Sequence, residues 1–286
     1  MLYRQTAADL SVLREDPTGQ LYARRLNQLL ARAHNIIYTG KRVNASGIVP
    51  FFTKTYPEVF RRNFGYVFAA VVIFLAGAVV GLLMTLHNPA FQLQVLGSDM
   101  VNTIEHRKMW THSVVAIKPV ASSAIMTNNL SVTFLTFAMG VTGGLGTVYL
   151  IFFNGLLLGV VGTSCWLNQM SLQLWSFVAP HGVLELPSIF IAGGAGLRIA
   201  QGMLFPGFVS RRDSLNAAGA EAIQLLIGTI PMLVIAGVLE GFFSPTSETA
   251  LLKFSVAAGL FVLLVLCLTY RPDRSSSSSQ PSPGRG

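Results

Sequence analysis

Charged side chains are scarce in this chain. Asp, Glu, Lys and Arg make up 11% of its 286 residues, against roughly 25% in an average soluble domain, so a soluble enzyme's surface is excluded. Cysteine is scarcer, with only Cys165 and Cys267, which removes a disulfide scaffold. Only five histidines are present. The apolar content, 52%, excludes a disordered chain. What remains abundant is apolar residues and glycine: 27 Gly and a mean hydropathy of +0.56 describe a chain whose solvent is mostly lipid. The net charge of +8 must then reside outside the bilayer, and because it flanks apolar runs rather than forming one patch, nucleic acid is excluded as a partner.

A hydrocarbon core of about 30 Å needs about 20 mainly apolar helical residues. Six windows of that length occur: Val67 to Leu86, Val120 to Gly140, Gly143 to Thr163, Gly182 to Phe205, Ala222 to Glu240 and Leu251 to Tyr270. The first is free of charge. The last holds Lys253 near one end, where it can snorkel. The expected fold is therefore all-α: a polytopic membrane bundle of six transmembrane helices over residues 67–271, with a helical cytoplasmic or interfacial region at 1–66 and a disordered tail at 272–286. Basic residues set the orientation, since cytoplasmic flanks retain them. With the N-terminus inside, fifteen of the twenty Lys and Arg fall on that side and four on the other, while Arg198 lies within the fourth span. Both termini are thus expected in the cytoplasm.

The first 66 residues are too few for a catalytic core. Tyr3 to Glu15 and Gln20 to Tyr38 read as helices separated by Asp16-Pro17-Thr18-Gly19. In the second, Tyr22, Leu26, Leu29, Leu30, Ala33, Ile36 and Ile37 share a face, with Arg24, Arg25 and Arg32 off it. Such a basic amphipathic helix packs on a neighbour or on the anionic inner leaflet in preference to docking a cytosolic partner. Phe51 to Phe64 reads as an interfacial elbow feeding the first span. A cleavable signal peptide is not expected, because more than 60 polar and charged residues precede any apolar run. In the outer loop from His87 to Lys118, Glu105, His106 and His112 lack metal-ligand spacing and read as a solvated surface.

Ionisable groups within the hydrocarbon cost at least about 2.5 kcal/mol on insertion scales, so those present are candidates for function. In Pro180-His181-Gly182-Val183-Leu184-Glu185-Leu186-Pro187, His181 and Glu185 share a face if the segment is helical. Alternatively a helix begins at Pro187 and the preceding residues form a broken or re-entrant segment. Glu240 falls at the same level, so His181, Glu185 and Glu240 form a candidate intramembrane polar cluster. Arg198, about 20 Å from Glu185 along a straight helix and on nearly the opposite face, is expected to snorkel to the interface or to meet an acid from another span. Asn128 and Asn129 with Asn154 read as amide glue between spans two and three. Gly155-xxx-Gly159 and Gly77-xxx-Gly81 permit close helix approach.

Taken together, Tyr3-Arg4, Asp9-Leu10, Leu26-Asn27 and Ala33-His34, the Asn154-Gly155-xxx-Gly159 span, the Pro-His-Gly-xx-Glu-Leu-Pro segment and Gly194-Ala195-Gly196-Leu197 resemble the stage II sporulation protein M family of bacterial membrane proteins. The resemblance runs through most of the chain up to Phe243. It implies a non-enzymatic protein of the bacterial cytoplasmic membrane that localises envelope partners; in endospore formers such a protein helps to place peptidoglycan-degrading enzymes at the septum. Relatives in non-sporulating bacteria are often encoded near MoxR-type ATPases and RDD-type membrane proteins. The expected partners are the lipid bilayer and other membrane or envelope proteins, with homo-oligomerisation left open and no cofactor. The alternative is a transporter or channel using His181, Glu185 and Glu240. An intramembrane hydrolase ranks third: the sequence holds no HExxH, no Gly-x-Ser-x-Gly elbow and no second buried His beside His181, so no metal site is expected.

Overall fold

The computed structural model describes residues 47–108 and 118–270, with side chains in the second stretch from residue 127 onward. The chain forms two compact units, Met1–Pro50 and Phe51–Gly286. Of the first, only a helical turn at its end is described, so the expected helices Tyr3 to Glu15 and Gln20 to Tyr38 lie outside the described residues, as do His112 and the tail. The elbow from Phe51 onward belongs with the bundle.

Within the second unit the described residues are helical, with no strand among them. A π turn, Phe51–Thr55, leads into α1 (Tyr56–Arg62), which carries Pro57 in its first turn, a position proline tolerates. After Asn63 comes α2 (Phe64–His87). Two short helices follow, α3 (Ala90–Leu96) and α4 (Ser98–Glu105). Then come α5 (Lys118–Ala138), a 3₁₀ turn at Met139–Thr142, and α6 (Leu145–Leu167). The longest helix is α7 (Ser171–Leu204). Next is α8 (Arg211–Val238), continued by a π turn at Leu239–Phe243, and the last is α9 (Ala250–Thr269). Ser210 starts α8 by accepting from the Asp213 N–H at 3.1 Å, and Thr249 does the same for α9 through Leu252.

Five helical segments are long and apolar enough to cross a membrane: α2, α6, α7, α8 with its π turn, and α9. They do not confirm the expected count of six. The window Val120 to Gly140 is the 21-residue helix α5, but Ser122, Ser123, Asn128 and Asn129 dilute its apolar content and it is not among the five. The span expected from Gly182 starts earlier, at Ser171, and the broken-segment alternative is overturned: α7 is one continuous 34-residue helix with Pro180 and Pro187 inside it. A bundle tolerates such prolines because neighbouring groups can satisfy the backbone they free.

Lipid tails are as apolar as leucine, so helices in a membrane associate through close packing and polar contacts rather than through the hydrophobic effect. Here α2 and α6 run parallel with their glycines interlocked. The Phe74 and Ala78 carbonyls face Gly155 and Gly159, and the Phe152 and Leu156 carbonyls face Gly77 and Gly81. The two GxxxG motifs thus face each other. Helix α7 occupies the centre, packed on α2, α5, α6, α8 and α9, with Ile191, Ala192 and Ala195 at most 1% exposed. Its Gly194 abuts the Val67 backbone, and Gly196 touches both Thr136 and Thr147. The elbow is not merely interfacial: Tyr56, Val59 and Phe60 are buried in the same core as α7, α8 and α9. Arg61 donates to the Tyr270 carbonyl at 2.8 Å, so the end of α9 and the start of α2 lie at the same end of the bundle.

Each interlocked glycine is a point where one methyl group should be felt. Gly155→Ala is expected to destabilise the detergent-solubilised protein by about 1–3 kcal/mol through overpacking. Gly259→Ala, on a face with nothing within 4 Å, should be neutral or slightly stabilising, as Ala is the better helix former. Thermal unfolding of the two variants checks the contrast.

Candidate functional site: a polar cluster inside the bundle

One turn of α7 places His181 and Glu185 on the same face. The third residue arrives from the next helix. Beyond Val238 the backbone of α8 widens into a π turn, closed by the Ser244 N–H donating to the Leu239 carbonyl five residues back at 2.7 Å. Single π turns of this kind often occur at functional sites. This one turns Glu240 and Ser244 toward α7. One imidazole nitrogen of His181 and one oxygen from each of Glu185 and Glu240 lie within 4.8 Å of one another.

The surroundings hold these groups in place. Asn129 on α5 donates its amide to Glu185 at 2.5 Å and, more loosely, to Glu240 at 3.5 Å. The Ser244 hydroxyl meets His181 Nδ1 at 3.0 Å, and the Phe177 ring stands edge-on to the imidazole, 5.4 Å between centroids. His181 is 4% exposed, while the carboxylates are half-buried. Lys253 does not snorkel, contrary to expectation. It is 6% exposed and donates to the carbonyls of Ser244 at 2.7 Å and Thr246 at 2.8 Å, closing the carbonyl end of the preceding helix as a cation does best. Two carboxylates this close in a low-dielectric interior cannot both carry an uncompensated charge, and so share a proton or a cation. The arrangement can hold a proton, a cation or a hydrogen-bonding ligand.

A second polar centre lies toward the other end of α7. Arg198 donates through Nε to Glu221 of α8 at 2.9 Å, and Arg62 reaches the other oxygen of Glu221 at 2.8 Å. Arg198 therefore meets an acid from another span, the second of its two expected fates. The hydrogen bond it donates to the Glu221 carboxylate holds the Arg62 guanidinium above its ordinary value. The other predicted residues separate. Asn129 joins the acidic cluster, Asn128 is exposed, and Asn154 bonds the Leu150 carbonyl of its own helix at 2.7 Å. Gly155 and Gly159 bind α6 to α2 rather than to α5. In the outer loop, Glu105 and His106 are exposed as expected, but Ile104 is buried against Cys165, Met170 and Leu174, so α4 docks on the bundle. Sequence reasoning missed Ser244 and Glu221. Ser244 carried a usable signal, four residues beyond Glu240 at the end of the same span; Glu221 carried none.

The fold and this site define a polytopic, all-helical membrane protein whose buried ionisable groups gather across helices. Residues 70–245 match the family described as stage II sporulation protein M, and the chain belongs to that family. Residues 1–39 match a domain of unknown function (DUF8413). Among curated proteins, the chain is similar to two uncharacterized proteins of Methanocaldococcus jannaschii. One is 30% identical over 131 residues, 45% of this chain and 74% of the relative. The other is 27% identical over 137 residues, 46% of this chain and 58% of the relative. No solved structure matches.

The Arg62–Glu221–Arg198 centre yields a graded expectation. Removing one partner of a buried pair costs up to about 3–5 kcal/mol, whereas exposed pairs are worth at most about 1 kcal/mol. With Arg198 and Glu221 each 17% exposed and Arg62 60% exposed, Glu221→Ala should lower the unfolding temperature clearly and Arg62→Ala hardly at all. Thermal melts of both variants in one detergent provide the check.

Proposed function

We propose that this chain is a non-enzymatic membrane scaffold that holds envelope partners, with its basic flanks in the cytoplasm. The observation that carries the reading is a groove in the lipid-facing surface between α2, α6 and α7. It has a volume of about 330 Å³ and is lined by Leu75, Val79, Leu82, Leu158, Trp166 and Trp175, with Gly159 and Gly162 among the lining residues. Small residues beside large apolar ones give another span a place to pack closely. Membership of the stage II sporulation protein M family supports the same reading, as does the small mass that the described loops place outside the spans. The transporter alternative has no observation in its favour among the described residues.

The groove can be filled without crowding the bundle, since a Cβ at Gly162 would meet only the Trp175 ring at 3.6 Å, an ordinary contact. Affinity purification of the tagged full chain from native membranes is expected to recover a stoichiometric membrane partner. Gly162→Leu should lose that partner while keeping its melting temperature. A wild-type chain that purifies alone would overturn the proposal. For orientation, a cysteine at Arg107 is expected to react with an impermeant thiol reagent in intact cells, and one at Arg211 only after permeabilisation; the reverse pattern would invert the topology.

A further inference from the structure

The carboxylates of Glu185 and Glu240 sit together without a cationic partner among the described residues. Among the described residues neither forms a salt bridge, and the buried ammonium of Lys253 donates instead to the Ser244 and Thr246 carbonyls. The third group beside them, the His181 imidazole, is 96% buried by its 4% exposure and is aimed into the pair, with a nitrogen within 4.8 Å of both carboxylate oxygens. Yet among the described residues no hydrogen bond joins it to either one. A buried imidazole converging on two carboxylates without bonding to them brings three ligating groups within reach of a single ion.

The chemistry of that set is specific. Carboxylates alone suit magnesium or calcium, which prefer six or more oxygen ligands; an imidazole shifts the preference to zinc and its neighbours. Ligating groups are usually held by partners of their own, which set ring orientation and fix carboxylates. Both devices are present: Ser244 engages His181 Nδ1 at 3.0 Å and Asn129 engages Glu185 at 2.5 Å. A divalent cation would also supply the positive charge that the two carboxylates lack. We propose that His181, Glu185 and Glu240 bind one zinc-class divalent cation, with three protein ligands and a fourth position open to water or another donor. Two of the ligands come from α7 and the third from the π turn after α8, so the ion ties these elements together. The site needs no partner protein and stands independently of the scaffold reading.

The test uses the purified full chain in detergent, stripped with chelator and titrated with zinc chloride by calorimetry, then with cobalt(II) as a spectroscopic substitute. The expected result is saturable binding of one equivalent of zinc, a rise in melting temperature on loading, and the visible absorption bands of a low-coordinate cobalt site with a nitrogen ligand. Glu240→Gln and His181→Gln should each weaken zinc binding about tenfold or more and abolish the thermal shift, while Arg62→Ala, at the other end of the bundle, retains both. Two results would overturn the proposal: no saturable zinc binding by a monodisperse, helical wild-type protein, or binding that is unchanged in the Glu185→Gln/Glu240→Gln double variant. If either single variant does not fold, the cobalt spectrum of the wild type decides alone, since one lacking an imidazole ligand also overturns it.

Discussion

Hydrocarbon offers no hydrogen bonds, and every polar group carried into the spans has to find its partner within the protein. Hydroxyls turn back on their own helices: Thr85 bonds the Gly81 carbonyl, Thr163 that of Gly159 and Ser188 that of Leu184. Where a group cannot do so it reaches another helix, as Thr147 does to the Thr136 carbonyl at 2.8 Å. Charged groups follow the same rule at higher stakes, Arg198 on Glu221 and Lys253 on two carbonyls. Among the described residues Tyr56 Oη and Thr133 Oγ1 are buried without a partner; each costs about 1–3 kcal/mol that packing must offset.

The same constraint explains why glycine is spent where it is. With no hydrophobic force between helices in lipid, association depends on how closely their backbones meet. The α2–α6 pair reaches that limit through four glycines, and α7 meets its neighbours through Gly194 and Gly196. Large side chains are displaced outward. Phe68, Leu75, Leu83, Leu263 and Leu266 are each more than half exposed, which in a membrane means covered by lipid.

Function is read at the two levels where charge enters this frame. Near one end, arginines and Glu221 lock α7 and α8 to the last residue of α1. At the other, His181, Glu185 and Glu240 gather with no arginine or lysine among the described residues bonded to either carboxylate. In the first centre the acid is paired within the protein. The second leaves two carboxylates to be balanced by a proton or a cation, and for that reason it is the place where the bundle has chemistry to spare. The lipid-facing groove between α2, α6 and α7 is apolar, and what it offers is shape.

Much of this was legible in the chain itself. Scarce charge and long apolar runs determine a helical membrane bundle, because only helices and closed barrels satisfy the backbone in lipid. The level shared by His181, Glu185 and Glu240 followed from counting residues along spans. Other features were hidden. The helical course through Pro180 and Pro187 depends on neighbours that accommodate the freed backbone groups, and Asn128 and Asn129, adjacent in sequence, differ only in which way α5 faces. The second glycine motif was visible, but its partner was not, since any pair of spans could have supplied the facing carbonyls. The sequence by itself thus determined the solvent, the helices and the level of each charge. Only the tertiary structure decided which groups meet, because partners such as Asn129 and Glu240, or Arg62 and Glu221, are more than a hundred residues apart and are joined by packing alone.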